Sequence, residues 1–163
     1  MDKGFWISLF LFLHVMGAIA ALGPTLTYGL WGSLAERASA EERAYTLRSI
    51  SWIDGHLATP AYIAQAITGI FLIALEGWSF FSTGWLVIGV LIYIALVITA
   101  ITAYAPAFRR QRELAEAIAA DPSDGGAAAA YAAAARTSTT YGAAVTALTI
   151  VVVFLMVWKP NLW

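Results

Sequence analysis

Cysteine is absent from the 163 residues. That excludes a disulfide scaffold, a thiolate metal site and a cysteine nucleophile. Charge is scarce too: Asp, Glu, Lys and Arg make up 12% of the chain, well below the share in an ordinary soluble domain. A net charge of -1 without a basic stripe gives no footing for nucleic acid as a partner. No carboxylate pair falls inside an apolar stretch, and no Ser/His/Asp set or His/Glu metal spacing occurs, so hydrolytic catalysis has no support. Internal repeats, heptads and a phosphate-binding glycine loop are also missing.

What the chain has instead is apolar length. Hydrophobic residues are 61% of it, and residues 4–35, 55–75, 77–108 and 137–158 carry no formal charge. Each run meets the roughly 20 residues needed to cross the hydrocarbon core as a helix. The expected fold is all-α, a four-helix transmembrane bundle in one integral membrane domain of residues 1–163, with helices at about 5–34, 55–75, 84–108 and 137–158 and connections at 35–54 and 109–136. Lys3, an apolar stretch and Ala18-Ile19-Ala20 imitate a signal peptide, but the run continues without a polar region and reads as helix one.

Arginine sets the expected orientation. Arg37, Arg43, Arg48, Arg109, Arg110, Arg112 and Arg136 lie in the two longer connections, against Lys3 and Lys159 on the other side. That bias puts the connections in the cytoplasm and both termini outside, in a cytoplasmic membrane. Trp6, Trp78, Trp85, Trp158 and Trp163 would then mark the outer interface, and Trp31 and Trp52 the inner one. Ser39-Ala40-Glu41-Glu42 has capping-box spacing, which predicts a short helix at the inner surface that leads toward helix two through Tyr45, Leu47 and Ile50. Arg109 with Glu113 and Arg112 with Glu116, each four apart, predict an exposed helix; the turn at 121–126 and the alanine-rich segment 127–136 then complete a cytoplasmic helical hairpin between helices three and four.

Depth along each helix sorts the polar residues. At ~1.5 Å per residue, His14, Gln65, Tyr93 and Thr149 all fall about 14–15 Å from the outer surface, one from each helix. They are the predicted cofactor-binding layer. A second polar layer, His56, Thr102, Tyr104 and Tyr141, falls roughly 26 to 30 Å deep, with Pro24 beside it as an expected kink. Asp54 and Arg48 sit at the cytoplasmic edge.

An ionisable residue inside a membrane helix is by default a functional hypothesis. For His14 a cofactor or metal ligand ranks ahead of a structural hydrogen bond, and that ahead of a proton path. Haem b is the favoured cofactor, because imidazole is a usual axial ligand and a four-helix bundle can hold a site between facing helices. Gly17, Ala18, Ala21 and Gly69 would leave room for the macrocycle, with Gln65 and Tyr93 supporting the ligand. The two histidines differ by ~14 Å in depth, so they are not expected to ligate one haem together. Met16 and Met156 read as packing residues.

The run Leu11-Phe12-Leu13-His14-Val15-Met16-Gly17-Ala18 and the ending Met156-Val157-Trp158-Lys159-Pro160 resemble a family of small bacterial four-helix integral membrane proteins of unknown function. Helix one is also similar to that of the copper-resistance protein D family and the membrane-bound protoporphyrinogen oxidase family, which carry a histidine followed by small residues at this point. The latter group binds haem, so the resemblance implies a haem role for His14. The expected function is haem b binding with a redox or haem-handling role. The alternatives are a non-catalytic accessory subunit of a larger membrane complex or homo-oligomer, and a small transporter. Haem predicts a flat cavity, transport a water-filled path, and the subunit reading a dry, filled bundle.

Overall fold

Four long helical rods make up the chain in a computed structural model that describes residues 2–123 and 125–163. The first is α1 (Lys3–Ala35). The second runs from α2 (Ala40–Ile53) through a π turn, Asp54–Ala58, into α3 (Thr59–Glu76). The third repeats that plan, with α4 (Gly84–Thr99), a π turn at Ala100–Tyr104, and α5 (Ala105–Ala120). The fourth is α6 (Gly125–Trp158). Among the described residues there is no strand. All four rods are long and apolar enough to cross a membrane.

The rods have 33 to 37 residues. At 1.5 Å per residue they are about 50–55 Å long, against a hydrocarbon core of about 30 Å. The helices therefore overrun the predicted limits, and the connection predicted at 35–54 is mostly helix. The reason is physical: a charged residue marks where lipid ends, not where backbone hydrogen bonding ends. The capping box at Ser39 and Glu42 forms as expected, and the helix it starts leads through Tyr45, Leu47 and Ile50 and on without a break into α3. Likewise α1 stays one helix through Pro24.

Both π turns end two residues before a proline, Pro60 and Pro106. Proline has no N–H to donate and its ring crowds the carbonyl four residues back. Here the N–H of Thr59 bonds to the Asp54 carbonyl, and that of Ala105 to the Ala100 carbonyl, five residues back in each case. The widened turn absorbs the proline without breaking the rod.

Connections are tight. Gly77 closes α3 at φ 76°, a left-handed conformation that glycine adopts without a Cβ penalty. Beyond α5, the Ser123 hydroxyl and backbone N–H donate to Asp121 at 2.6 and 3.0 Å. Those two bonds hold the Asp121 carboxyl below its ordinary range.

In the membrane half, α1 packs along α3 and α4 along α6, while α3 and α4, though consecutive, do not pack along each other. The best-buried apolar cluster lies elsewhere, at the arginine-bearing end. There Ala44, Leu47 and Ile50 of α2 meet Leu114 and Ala115 of α5 and Tyr131 of α6, with Leu47 1% exposed. The α5–α6 hairpin forms as expected, and of its two predicted ion pairs Arg112–Glu116 closes, at 3.9 Å, among the described residues. Arg112 also donates to Ser51 at 3.1 Å, tying α5 to α2.

Candidate functional site

His14 faces α3, where its Nδ1 lies 2.8 Å from the hydroxyl of the buried Thr68. That hydroxyl is also 2.7 Å from the Ala64 carbonyl. A hydroxyl has one proton to give. Spent on the carbonyl, it leaves the oxygen to accept from His14, which assigns the imidazole proton to Nδ1 and a lone pair to Nε2. The Gln65 amide donates to the His14 carbonyl from the next turn of α3.

The small residues of this seam are filled. A Cβ on Gly17 would lie 3.2 Å from Gln65 Nε2, and one on Gly69 would lie 3.4 Å from His14 Cε1. Ala21 is fully buried, and Phe10 stacks on Phe71 at 4.6 Å nearer the termini. The space expected to admit a macrocycle is thus taken by Gln65 and by His14 itself.

The rest of the expected midplane layer goes elsewhere. Tyr93 donates to the Tyr62 carbonyl at 2.6 Å, bridging α4 to α3, and Thr149, buried in α6, donates to its own Val145 carbonyl at 2.8 Å. Equal depth brought His14 and Gln65 together but not Tyr93 or Thr149, because depth says nothing of rotation about the helix axis. The second layer divides in the same way. His56 is exposed, with Nδ1 2.9 Å from the Trp52 carbonyl and its ring stacked on Trp52. Thr102 is exposed and donates to Ile98, and Tyr141 is exposed as well. Tyr104 alone of that set turns inward, beside Gly142 and stacked on Phe108.

Tyr104 faces a cavity of about 940 Å³ between the α1–α3 and α4–α6 pairs, with walls from all four rods. Its polar lining includes Tyr28, Tyr62, Tyr93, Tyr104, Thr59 and the two acids Asp54 and Glu36, and among the described residues no Lys, Arg or His lines it. The Tyr62 hydroxyl donates to Thr25 at 3.2 Å, whereas the buried Tyr28 hydroxyl has no hydrogen-bond partner among the described residues. At the arginine end the cavity is closed by a polar knot. Tyr131 donates to Glu36, Ser138 donates to Gln111, Gln111 reaches Tyr131 at 3.4 Å, and the Arg43 guanidinium lies 5.1 Å over the Tyr131 ring.

Sequence reasoning missed Thr68, Tyr28 and Tyr62, and left Asp54 at the membrane edge. Thr68 was within reach, since it lies three residues from Gln65 on the same helix face. For Tyr28 and Asp54 the signal is weaker: each sits where an apolar run meets the arginine-bearing segments.

Four apolar rods, a closed histidine seam and an inner cavity together define an integral membrane protein built as a helical bundle. The chain belongs to the predicted integral membrane protein family DUF2269, whose family model matches residues 8–160. No curated protein and no solved structure matches it.

Proposed function

We propose that this protein binds a lipophilic small molecule within the bilayer and serves its transport or handling across the membrane. The observation that carries this reading is the cavity of about 940 Å³ walled by every rod of a 163-residue chain. Its volume lies at the upper end of the range for small-molecule sites, about 300–1,000 Å³. Exposed side chains continue its walls outward, among them Ile63 on α3, 58% exposed, and Ile101, 68% exposed, so the cavity opens sideways between helices. An occupant entering that way comes from lipid. With the arginine-bearing end in the cytoplasm of a bacterial cell, as the seven-to-two bias of basic residues favours, the cavity lies in the inner leaflet of the cytoplasmic membrane.

The test is saturable binding of a neutral lipophilic fluorophore, Nile red, to protein in lipid nanodiscs, measured above empty discs. Ala143→Phe puts a ring into the α6 wall of the cavity and is expected to abolish the saturable part. Unchanged binding in that variant would sink the reading.

One observation favours a second reading, haem b held by His14 in a redox or haem-handling role. The Thr68 bond to Nδ1 fixes the imidazole and leaves Nε2 as a donor atom, the arrangement in which a histidine ligand is oriented by its other nitrogen. Bound there, haem would supply one-electron chemistry, and the protein's part would be to hold the imidazole at a fixed rotation through Thr68. The check is a visible spectrum of gently purified protein, oxidised and reduced, beside His14→Ala. A Soret band lost in the variant is the expected result; a colourless protein after expression with haem precursor would rule haem out.

A further inference from the structure

We propose that the cavity takes an organic cation with an apolar body, its charge held by the Asp54 carboxylate and the faces of Tyr28, Tyr62 and Tyr104. The inference rests on the cavity reading above and adds the sign of the ligand's charge. Three observations carry it.

The first is the balance of charge in the wall. Asp54 and Glu36 are its ionisable acids, and no basic side chain among the described residues faces them from within it. Glu36 already accepts from the Tyr131 hydroxyl, and Arg43, which lies over the Tyr131 ring, belongs to that knot. Asp54 has Thr59 as its side-chain hydrogen-bond partner, lies near Tyr28 and Tyr104, and forms no ion pair among the described residues. Arg112, on the facing helix, donates to Ser51 and pairs with Glu116 at 3.9 Å, while its buried Nε has no hydrogen-bond partner among the described residues. A carboxylate facing an apolar space without a counter-charge is costly, and a mobile cation relieves that cost. An anionic ligand would add to it.

The second is the aromatic content. Four tyrosines converge on the cavity from three rods, Tyr28 from α1, Tyr62 from α3, and Tyr93 and Tyr104 from the third. The negative face of an aromatic ring attracts a cation most where water is excluded, and it does so while also packing the cation's apolar body. The third is the Tyr28 hydroxyl, buried in that wall without a hydrogen-bond partner. A buried polar atom of this kind calls for an account, and a ligand seated against Asp54 and Tyr28 gives one.

The experiment uses two ions of the same shape and opposite sign, tetraphenylphosphonium and tetraphenylborate, with neutral Nile red as the control for the cavity itself. Equilibrium dialysis against full-length protein in zwitterionic nanodiscs, corrected for empty discs, gives the saturable component of each. The phosphonium is expected to bind about ten-fold tighter than the borate or better. Asp54→Asn, which keeps the side-chain shape, is expected to erase that preference while leaving Nile red binding intact. Equal binding of the two ions, or a preference that survives Asp54→Asn, with Nile red still bound, would overturn the cation inference and leave the cavity reading standing. Loss of all three ligands from the wild-type protein would overturn both.

Discussion

The two ends of the same four rods are packed on opposite principles. At the arginine-bearing end, Leu47, Ile50, Leu114 and Ala115 turn inward and form a core like that of a water-soluble bundle. In the membrane half, large apolar side chains turn outward, Phe12 at 60% exposed and Ile70 at 67%, and the interior is held by a histidine, a threonine and closely fitted glycines. Water drives apolar groups together at one end; lipid removes that drive at the other, where small residues and buried hydrogen bonds decide which helices touch.

The comparison breaks most sharply on apolar truncation. Leu47→Ala should cost about 2–5 kcal/mol, whereas Phe12→Ala, facing lipid, should stay within about 0.5 kcal/mol. Unfolding in mixed micelles, followed by helicity, measures both, and similar losses at the two sites would refute the division. Thr68→Val probes the seam by removing the acceptor for His14 Nδ1 with little change of volume. The expected loss is about 0.6–1.7 kcal/mol, the range for interhelical hydrogen bonds in membranes. A neutral result would mean that His14 finds another partner.

The smallest effect is expected at the turn after α5. Asp121 is held below its ordinary value of 3.8 by Ser123, so the folded turn is favoured by the ionised form above 3.8, and that contribution is lost as pH falls through the lower folded value. Protection of the Ser123 amide, its exchange rate relative to the intrinsic rate at each pH, should fall over that window and stay constant in Asp121→Asn; protection that falls equally in the variant would show that another group is titrating.

Much of this plan was legible in the sequence. Charge-free runs gave the four spans, Ser39 and Glu42 gave the start of α2, and shared depth paired His14 with Gln65. Azimuth was not legible, since a helix apolar on all sides carries no stripe to show which face meets a neighbour. That is why Tyr93 and Thr149 did not join His14, and why the cavity, which depends on how far apart two helix pairs stand, left no local trace. That the helix begun at Ser39 leads toward helix two was legible, while the π turn that joins α2 to α3 was not.

Each π turn carries one residue more than an α turn, which amounts to about 100° of rotation at 3.6 residues per turn. The turns at Asp54–Ala58 and Ala100–Tyr104 fall where the soluble-type core gives way to the lipid-facing half. They act as phase couplings in the two middle rods. Below each, one set of side chains is indexed to the core; above it, another set is indexed to lipid and to the cavity. A single unbroken helix would have to keep both indices in step over some 37 residues, and these two rods are released from that constraint by one extra residue apiece.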